Sequence, residues 1–256
     1  MVKLFVVLWL LSASSVQAEC RQALALGLDV SGSVDKREYR LQLDGLAGAL
    51  QNDAVRAALL AMPNAPVSLA VFEWSGPEDQ HLIIGWTAIT GQDVLENFAA
   101  RLQTTQRKVA APSTAIGSSM AYGAALLKDQ SDCWSRTLDL TGDGPSNSGP
   151  RPRDVRLRNQ FDNITVNALV IGSDEPQNSN RQSTQINELT QYFESEVIVG
   201  TGAFVEQAQG FKQFQAAMVR KLLRELEGLT ISQLGYLSKY TGFDHSNTAP
   251  FGVATH

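Results

Sequence analysis

Two spacings of apolar residues take turns along this chain: short continuous runs, and a repeat every three or four positions. Ala23–Val30 is a continuous apolar run with Asp29 at its end, as expected of a strand buried in a parallel sheet. Asp35–Leu60 follows with Tyr39, Leu43, Leu46 and Leu50 at helical spacing. Val67–Trp74 and His81–Thr87 are strand-like, and the short polar segment Ser75–Asp79 between them predicts a hairpin with one antiparallel edge strand. Gln92–Leu102 and Ala115–Leu127 read as helices, Arg136–Leu140 as the next strand and Asp154–Phe161 as a short helix. Ile164–Ile171 is a further buried strand, Gly172–Ser183 a polar turn region, Thr184–Phe193 a modest helix and Val197–Val199 a short last strand. Phe204–Leu226 places Phe211, Phe214, Met218, Leu222 and Leu226 along one face of a long amphipathic helix. Strands alternating with helices predict an α/β fold. The expected form is a three-layer, doubly wound, mainly parallel sheet with one antiparallel edge strand.

The first residues place that domain in a compartment. Lys3, the apolar run Leu4–Leu11 and the small residues framing Val16-Gln17-Ala18 have the order of a cleaved secretory signal. The run is shorter than the roughly 20 residues that span a bilayer. A lipid anchor on Cys20 fits less well, because Glu19 stands where a lipoprotein signal has a small residue. The expected organisation is a signal peptide over 1–18, one domain over 19–227 and a C-terminal extension over 228–256, in a periplasmic or secreted protein with no membrane span.

Charge removes some partners. The formal net charge is −5, and loss of the signal would take away one further basic residue, Lys3. Mild acidity argues against nucleic acid or an anionic membrane as a general partner. The chain has only two cysteines, Cys20 and Cys133. In an exported protein such a pair is usually a disulfide rather than two free thiols.

The candidate chemistry is concentrated in three separated segments. Asp29-Val30-Ser31-Gly32-Ser33 puts a carboxylate and two hydroxyls where the first strand gives way to a helix. Hard oxygens of this kind suit Mg²⁺, Mn²⁺ or Ca²⁺. Pro112-Ser113-Thr114 brings a third hydroxyl just ahead of a helix, and Thr141-Gly142-Asp143-Gly144 closes a strand with a second carboxylate. In a doubly wound sheet such strand ends share one edge, where ligands gather at the switch in strand order. Taken singly, each segment is also an ordinary helix cap or turn.

Together the three segments resemble the metal-ion-dependent adhesion site of von Willebrand factor type A domains, in motif order and element order over residues 22–227. More closely, the chain resembles a family of uncharacterised exported bacterial proteins carrying such a domain. That narrower likeness rests on Ser113-Thr114-Ala115-Ile116-Gly117, Gly142-Asp143-Gly144-Pro145-Ser146-Asn147 and Gly202-Ala203-Phe204-Val205. The resemblance implies that Ser31 and Ser33 ligate a divalent cation, most readily Mg²⁺, through their hydroxyls. Thr114 would bind directly or through water, and Asp29 and Asp143 would supply the negative charge. One coordination position would stay open for an acidic side chain of a protein or peptide partner. Two departures stand out: Gly142 is inserted between Thr141 and Asp143, and Ser113 replaces the glycine that often precedes the threonine. The resemblance also sets the first and fourth strands side by side. Cys20 and Cys133 would then lie near the bases of neighbouring strands, within reach of a bridge.

Enzyme readings find little support, and the chain is expected not to be an enzyme. His81, His245 and His256 stand apart from any serine or cysteine motif, and there is neither a G-x-S-x-G elbow nor a phosphate-binding G-x-x-x-x-G-K-[ST]. A phosphohydrolase of the haloacid dehalogenase type wants D-x-D, and Ser31 fills the third position. The expected function is therefore metal-dependent protein or peptide binding. A metal-independent scaffold with a vestigial site is the alternative, and a metal-dependent phosphohydrolase a more distant one. Arg151, Arg153, Arg156 and Arg158 crowd a short region beside the site. They are read as a solvated helix face, with a rim for an acidic partner as the alternative.

Overall fold

The structure, a computed structural model, describes residues 20–174 and 179–226. Six strands form one sheet: β1 (Cys20–Asp29), β2 (Val67–Trp74), β3 (Gln80–Ala88), β4 (Cys133–Gly142), β5 (Thr165–Ile171) and β6 (Val205–Ala208). They lie in the order β3-β2-β1-β4-β5-β6. All pairs are parallel except β2–β3, whose short connection makes β3 the antiparallel edge. From β1 the chain winds outward through β2 and β3, then crosses back to lay β4 on the other flank of β1. The switch in strand order thus falls between β1 and β4.

Helices cover both faces. The first core joins Leu24, Leu26 and Leu28 of β1 to α1 (Lys36–Leu50), α2 (Asp53–Leu60), α3 (Gln92–Thr104) and the helix over residues 214–226, here α7. The second joins Ala23, Ala25, Leu138 and Leu140 to α4 (Ile116–Lys128), α5 (Pro152–Arg156) and α6 (Ser179–Glu196). Successive β1 residues serve opposite cores, which is why the strand is apolar at almost every position. The expected three-layer fold is present.

The first core contains a charged group. Lys221 of α7 is fully buried, with its Nζ 2.8 Å from Asp139 Oδ1 of β4 and 2.7 Å from Glu225 Oε1 one helical turn away. Asn167 of β5 donates to the same Glu225 oxygen at 2.7 Å and accepts from the Phe204 N–H at 3.1 Å. Among so many aliphatic side chains the buried ammonium is tolerable only because two carboxylates meet it, although Asp139 Oδ2 and Glu225 Oε2 keep no hydrogen-bond partner.

Cys20 and Cys133 are joined by a disulfide and are direct partners in the β1–β4 ladder, so the bridge lies at the base of the two central strands.

Several boundaries differ from expectation. The helix expected over Asp35–Leu60 is two helices, because the Asn52 side chain accepts from the Ala54 and Val55 N–H groups and starts α2 afresh. Val197–Val199 is not the last strand; it makes one isolated antiparallel bridge, Val166 with Val199. The last strand is Val205–Ala208, inside the segment expected to open a long helix, and α7 begins only after a 3-10 turn over Phe211–Gln213. Gly200 and Gly202 turn the chain between these segments at φ of 98° and 77°, values that favour glycine. Trp74 is fully buried, whereas Trp134 is 47% exposed. The segments 1–18 and 228–256 lie outside the described residues.

Candidate metal centre

At the carboxyl end of β1 the backbone leaves the sheet through Val30–Val34 and enters α1 by a capping box. There Asp35 accepts from the Arg37 and Glu38 N–H groups, and Glu38 accepts from the Asp35 N–H. Because Asp35 serves as the cap, the side chains of Asp29, Ser31 and Ser33 remain available for another purpose. Asp29 and Ser31 are fully buried and Ser33 is exposed, so this run of oxygens rises from the sheet to the surface.

Hydrogen bonds tie the run together. Asp29 Oδ1 accepts from the Ser31 N–H at 2.8 Å, Ser31 and Ser33 hydroxyls are 3.3 Å apart, and Ser33 Oγ donates to Asp143 Oδ1 at 2.7 Å. Four of the five expected residues are thereby joined. Thr114 arrives on a third loop that packs against them. Gly32 donates to the Pro112 carbonyl at 3.1 Å, and a Cβ on Gly32 would lie 2.8 Å from that oxygen, so only glycine permits this approach. The Thr114 backbone is held by Asn147, which accepts from its N–H at 2.8 Å and donates to its carbonyl at 2.9 Å. Gly142, the inserted residue, belongs to β4 itself and packs against Phe193, so Asp143 still emerges at the strand end.

Among the described residues no basic side chain offsets the Asp29 and Asp143 carboxyls. Burial, and next the neighbouring Asp143, push the Asp29 carboxyl up to about 7. Burial likewise raises Asp143. Asp29 Oδ2 is buried without a hydrogen-bond partner. A lone-pair-bearing oxygen held this way is costly unless something electropositive meets it. Two carboxylates, three hydroxyls and one unpartnered buried oxygen fit a hard divalent cation. No cluster of three or more His, Cys, Asp or Glu occurs among the described residues, as expected where hydroxyls do much of the ligation.

Three residues support the site; Gln42 and Arg107 were not singled out from sequence, and Asn147 entered only as the end of a resemblance motif. Gln42 of α1 closes a buried ring: Asp29 N–H donates to Thr141 Oγ1 at 3.0 Å, Thr141 donates to Gln42 Oε1 at 3.0 Å, and Gln42 Nε2 donates to the Asp29 carbonyl at 2.9 Å. Arg107 donates to the Val34, Val30 and Ser31 carbonyls at 2.6, 3.0 and 3.4 Å, gripping the loop from outside. Asn147 is the third.

The sheet order and its switch point give the fold of von Willebrand factor type A domains, as comparison with solved structures shows. The pilus adhesin SpaC from Lactobacillus rhamnosus GG superposes with a TM-score of 0.58 at 12% identity, over 83% of this chain and 31% of that one. Proximal thread matrix protein 1 from the mussel byssus, in a structure with a zinc-occupied MIDAS motif, gives 0.56 at 10% identity, over 82% and 47%. A von Willebrand factor type A protein from Catenulispora acidiphila gives 0.51 at 14%, over 82% and 43%. The chain spans less than half the length of each of these proteins. No curated protein matches it in sequence. Residues 19–230 match the family described as "Protein of unknown function (DUF1194)", and the chain belongs to that family.

Proposed function

We propose that this chain is an exported, metal-dependent module that binds a protein or peptide through a divalent cation, Mg²⁺ first among the candidates, and that it is not an enzyme. Asp29, Ser31, Ser33, Thr114 and Asp143 would hold the ion. The observation carrying this reading is the meeting of Asp29 and Asp143 with the Ser31 and Ser33 hydroxyls at the strand-order switch, with Asp29 Oδ2 buried and unpartnered. When bound, the ion supplies an open coordination position that attracts a partner's carboxylate. The chain's own part is to keep the oxygens in place: the Gln42 ring fixes the Asp29 backbone, Arg107 fixes the loop after it, and Asn147 fixes Thr114. Further support comes from the neighbour with a zinc-occupied MIDAS motif and from the pilus adhesin, which share the fold.

Export is supported by the disulfide, a bond that persists in oxidising compartments. The signal peptide over residues 1–18 would provide the route. No helix among the described residues is long and apolar enough to cross a membrane.

Thermal unfolding in Mg²⁺, Mn²⁺, Ca²⁺ and EDTA, beside Asp29→Ala, tests the reading. At ten times Kd a bound ion adds about 1.4 kcal/mol to the native state. A metal-dependent rise in Tm that vanishes in the variant is the expected result. Identical curves in millimolar metal and in EDTA would sink the proposal.

A further inference from the structure

Beside the metal centre a cleft of about 430 Å³ opens between the loop after β4 and α6, lined by Ser146, Asn147, Ser148, Arg151, Arg153 and Tyr192 among others. One wall is continuous with the centre, since Asn147 holds the Thr114 N–H and Ser146 Oγ donates to the Thr114 carbonyl at 3.2 Å. The opposite wall is Tyr192, whose phenolic oxygen accepts from the Ser146 N–H at 3.2 Å. Its own O–H is left to donate outward.

The loop between them is seated closely on α4. A Cβ on Gly117 would lie 2.1 Å from the Pro150 carbonyl oxygen, and Gly149 reaches its place only at φ of 71°. Both glycines are needed for the cleft to have its shape.

The lining favours anions. Glu196 is its one acidic residue, and that carboxylate already faces Arg153 at 3.7 Å. Arg151 is exposed; its carbonyl accepts from the Asp154 and Val155 N–H groups, but its guanidinium has neither a hydrogen bond nor an ion pair among the described residues. Across the centre the rim has the opposite sign: Asp35, Asp143 and Asp174 all act on Glu38 as like charges. The surface around the cation site is thus polarised, acidic towards α1 and basic towards Arg151 and Arg153 at the start of α5. A ligand with a second negative charge can lie over it in one direction only.

We infer that the cleft receives a second carboxylate of the partner, so that the ligand is a peptide segment with two acidic side chains. The first meets the metal centre and the second meets Arg151, with the Tyr192 hydroxyl and the Asn147 amide as neutral donors. Only the first contact rests on the metal-dependent reading; the second is a property of the cleft.

Calorimetric titration of the full chain with capped Glu-Gly-Glu and Glu-Gly-Gly-Glu peptides, against the same peptides ending in Gln, tests this. In Mg²⁺ the better of the two diacidic peptides should bind about fivefold more tightly than its Gln counterpart, the size of one exposed charge contact. That preference should shrink in high salt. Arg151→Gln, a surface change that spares the fold, should remove the preference and leave the Gln-peptide affinity unchanged. No preference in the wild type, or an equal preference in Arg151→Gln and in the double variant with Arg153→Gln, overturns the inference. Gln-peptide binding that is the same in Mg²⁺ and EDTA would instead count against the metal reading. An Arg151-dependent preference persisting under those conditions would still establish the cleft.

Discussion

Ser33 Oγ donates to Asp143 Oδ1 across 2.7 Å, joining the loop after β1 to the loop after β4 although 110 residues separate them. This bond links the two segments side chain to side chain, and it is made at the surface rather than in the core. Ser33 therefore matters more to ligation than to folding. In Ser33→Ala the metal-free protein should lose less than about 1 kcal/mol, as for an exposed hydrogen bond. The Mg²⁺-induced rise in Tm should shrink markedly. Paired melting curves with and without metal separate the two effects, and an equal loss in both would assign Ser33 to structure.

Acidity provides a second test. With burial and then Asp143 raising the Asp29 carboxyl to about 7, the folded form holds this proton more tightly than the unfolded chain, where aspartate titrates at about 4. The native state then binds more protons, so metal-free stability falls as pH rises from about 4 to about 7. Metal ligation requires the deprotonated carboxylate, so the Mg²⁺ contribution should grow over the same window. Asp139 is also raised to about 7 by burial, against the pull of Lys221, and adds to the slope. The quantity to read is therefore the difference between wild type and Asp29→Asn. In EDTA at about pH 8 the variant should be the more stable, each kcal/mol appearing as about 2–4 °C in Tm, and it should ignore Mg²⁺. A less stable, metal-responsive variant would contradict the assignment.

The buried ring through Gln42 should respond differently. Replacing Gln42 with leucine strands the Thr141 hydroxyl and the Asp29 carbonyl in a dry environment. The expected cost is about 1–3 kcal/mol with or without metal, measured by urea unfolding. Metal affinity should also fall, because the Asp29 backbone loses its anchor. A variant matching the wild type in both measurements would deny the ring its role.

The architecture and most of the site could be read from the chain, and the reasons are local. Val67–Trp74 is apolar at every position but Ser68 and Glu73 because both faces of β2 are covered, so its limits coincide with the observed strand. Asp29, Ser31, Ser33 and Asp143 stand where strands end, a position that sequence marks well. Val205–Ala208 escaped notice because an edge strand with a half-exposed face, Val-Glu-Gln-Ala, needs little apolarity. The more apolar Val197–Val199 drew the assignment instead. Gln42 and Arg107 were beyond reach for another reason. Each acts on backbone groups brought near by the fold, from 13 residues away for Gln42 to 77 for Arg107, and no spacing rule covers such pairs. The buried Lys221 was hidden likewise, since a lysine on an amphipathic helix ordinarily marks its wet side.

Lys221 supplies the fourth test. Lys221→Met keeps the volume but leaves Asp139 and Glu225 facing each other inside the first core. Removing one member of a buried charged group costs about 3–5 kcal/mol. Unfolding at neutral pH should show a loss of that order, and acidification should recover part of it as Asp139 takes up a proton. A variant as stable as the wild type would mean that the triad is not ionised in the native state.

The bridge between Cys20 and Cys133 acts at the end of the sheet remote from all this chemistry, yet it bears directly on it. Pairing Cys20 with Cys133 fixes the same offset that sets Gly27 opposite Leu140, and so determines which residues leave the two strands together at the top. A slip of two residues would preserve the apolar pattern of both strands, yet carry one carboxylate about 6–7 Å away from the other. Hydrophobicity alone therefore penalises that error weakly. Once oxidised, the chain cannot make it: the bond acts as a proofreader of strand alignment, rejecting misthreaded sheets that burial alone would accept.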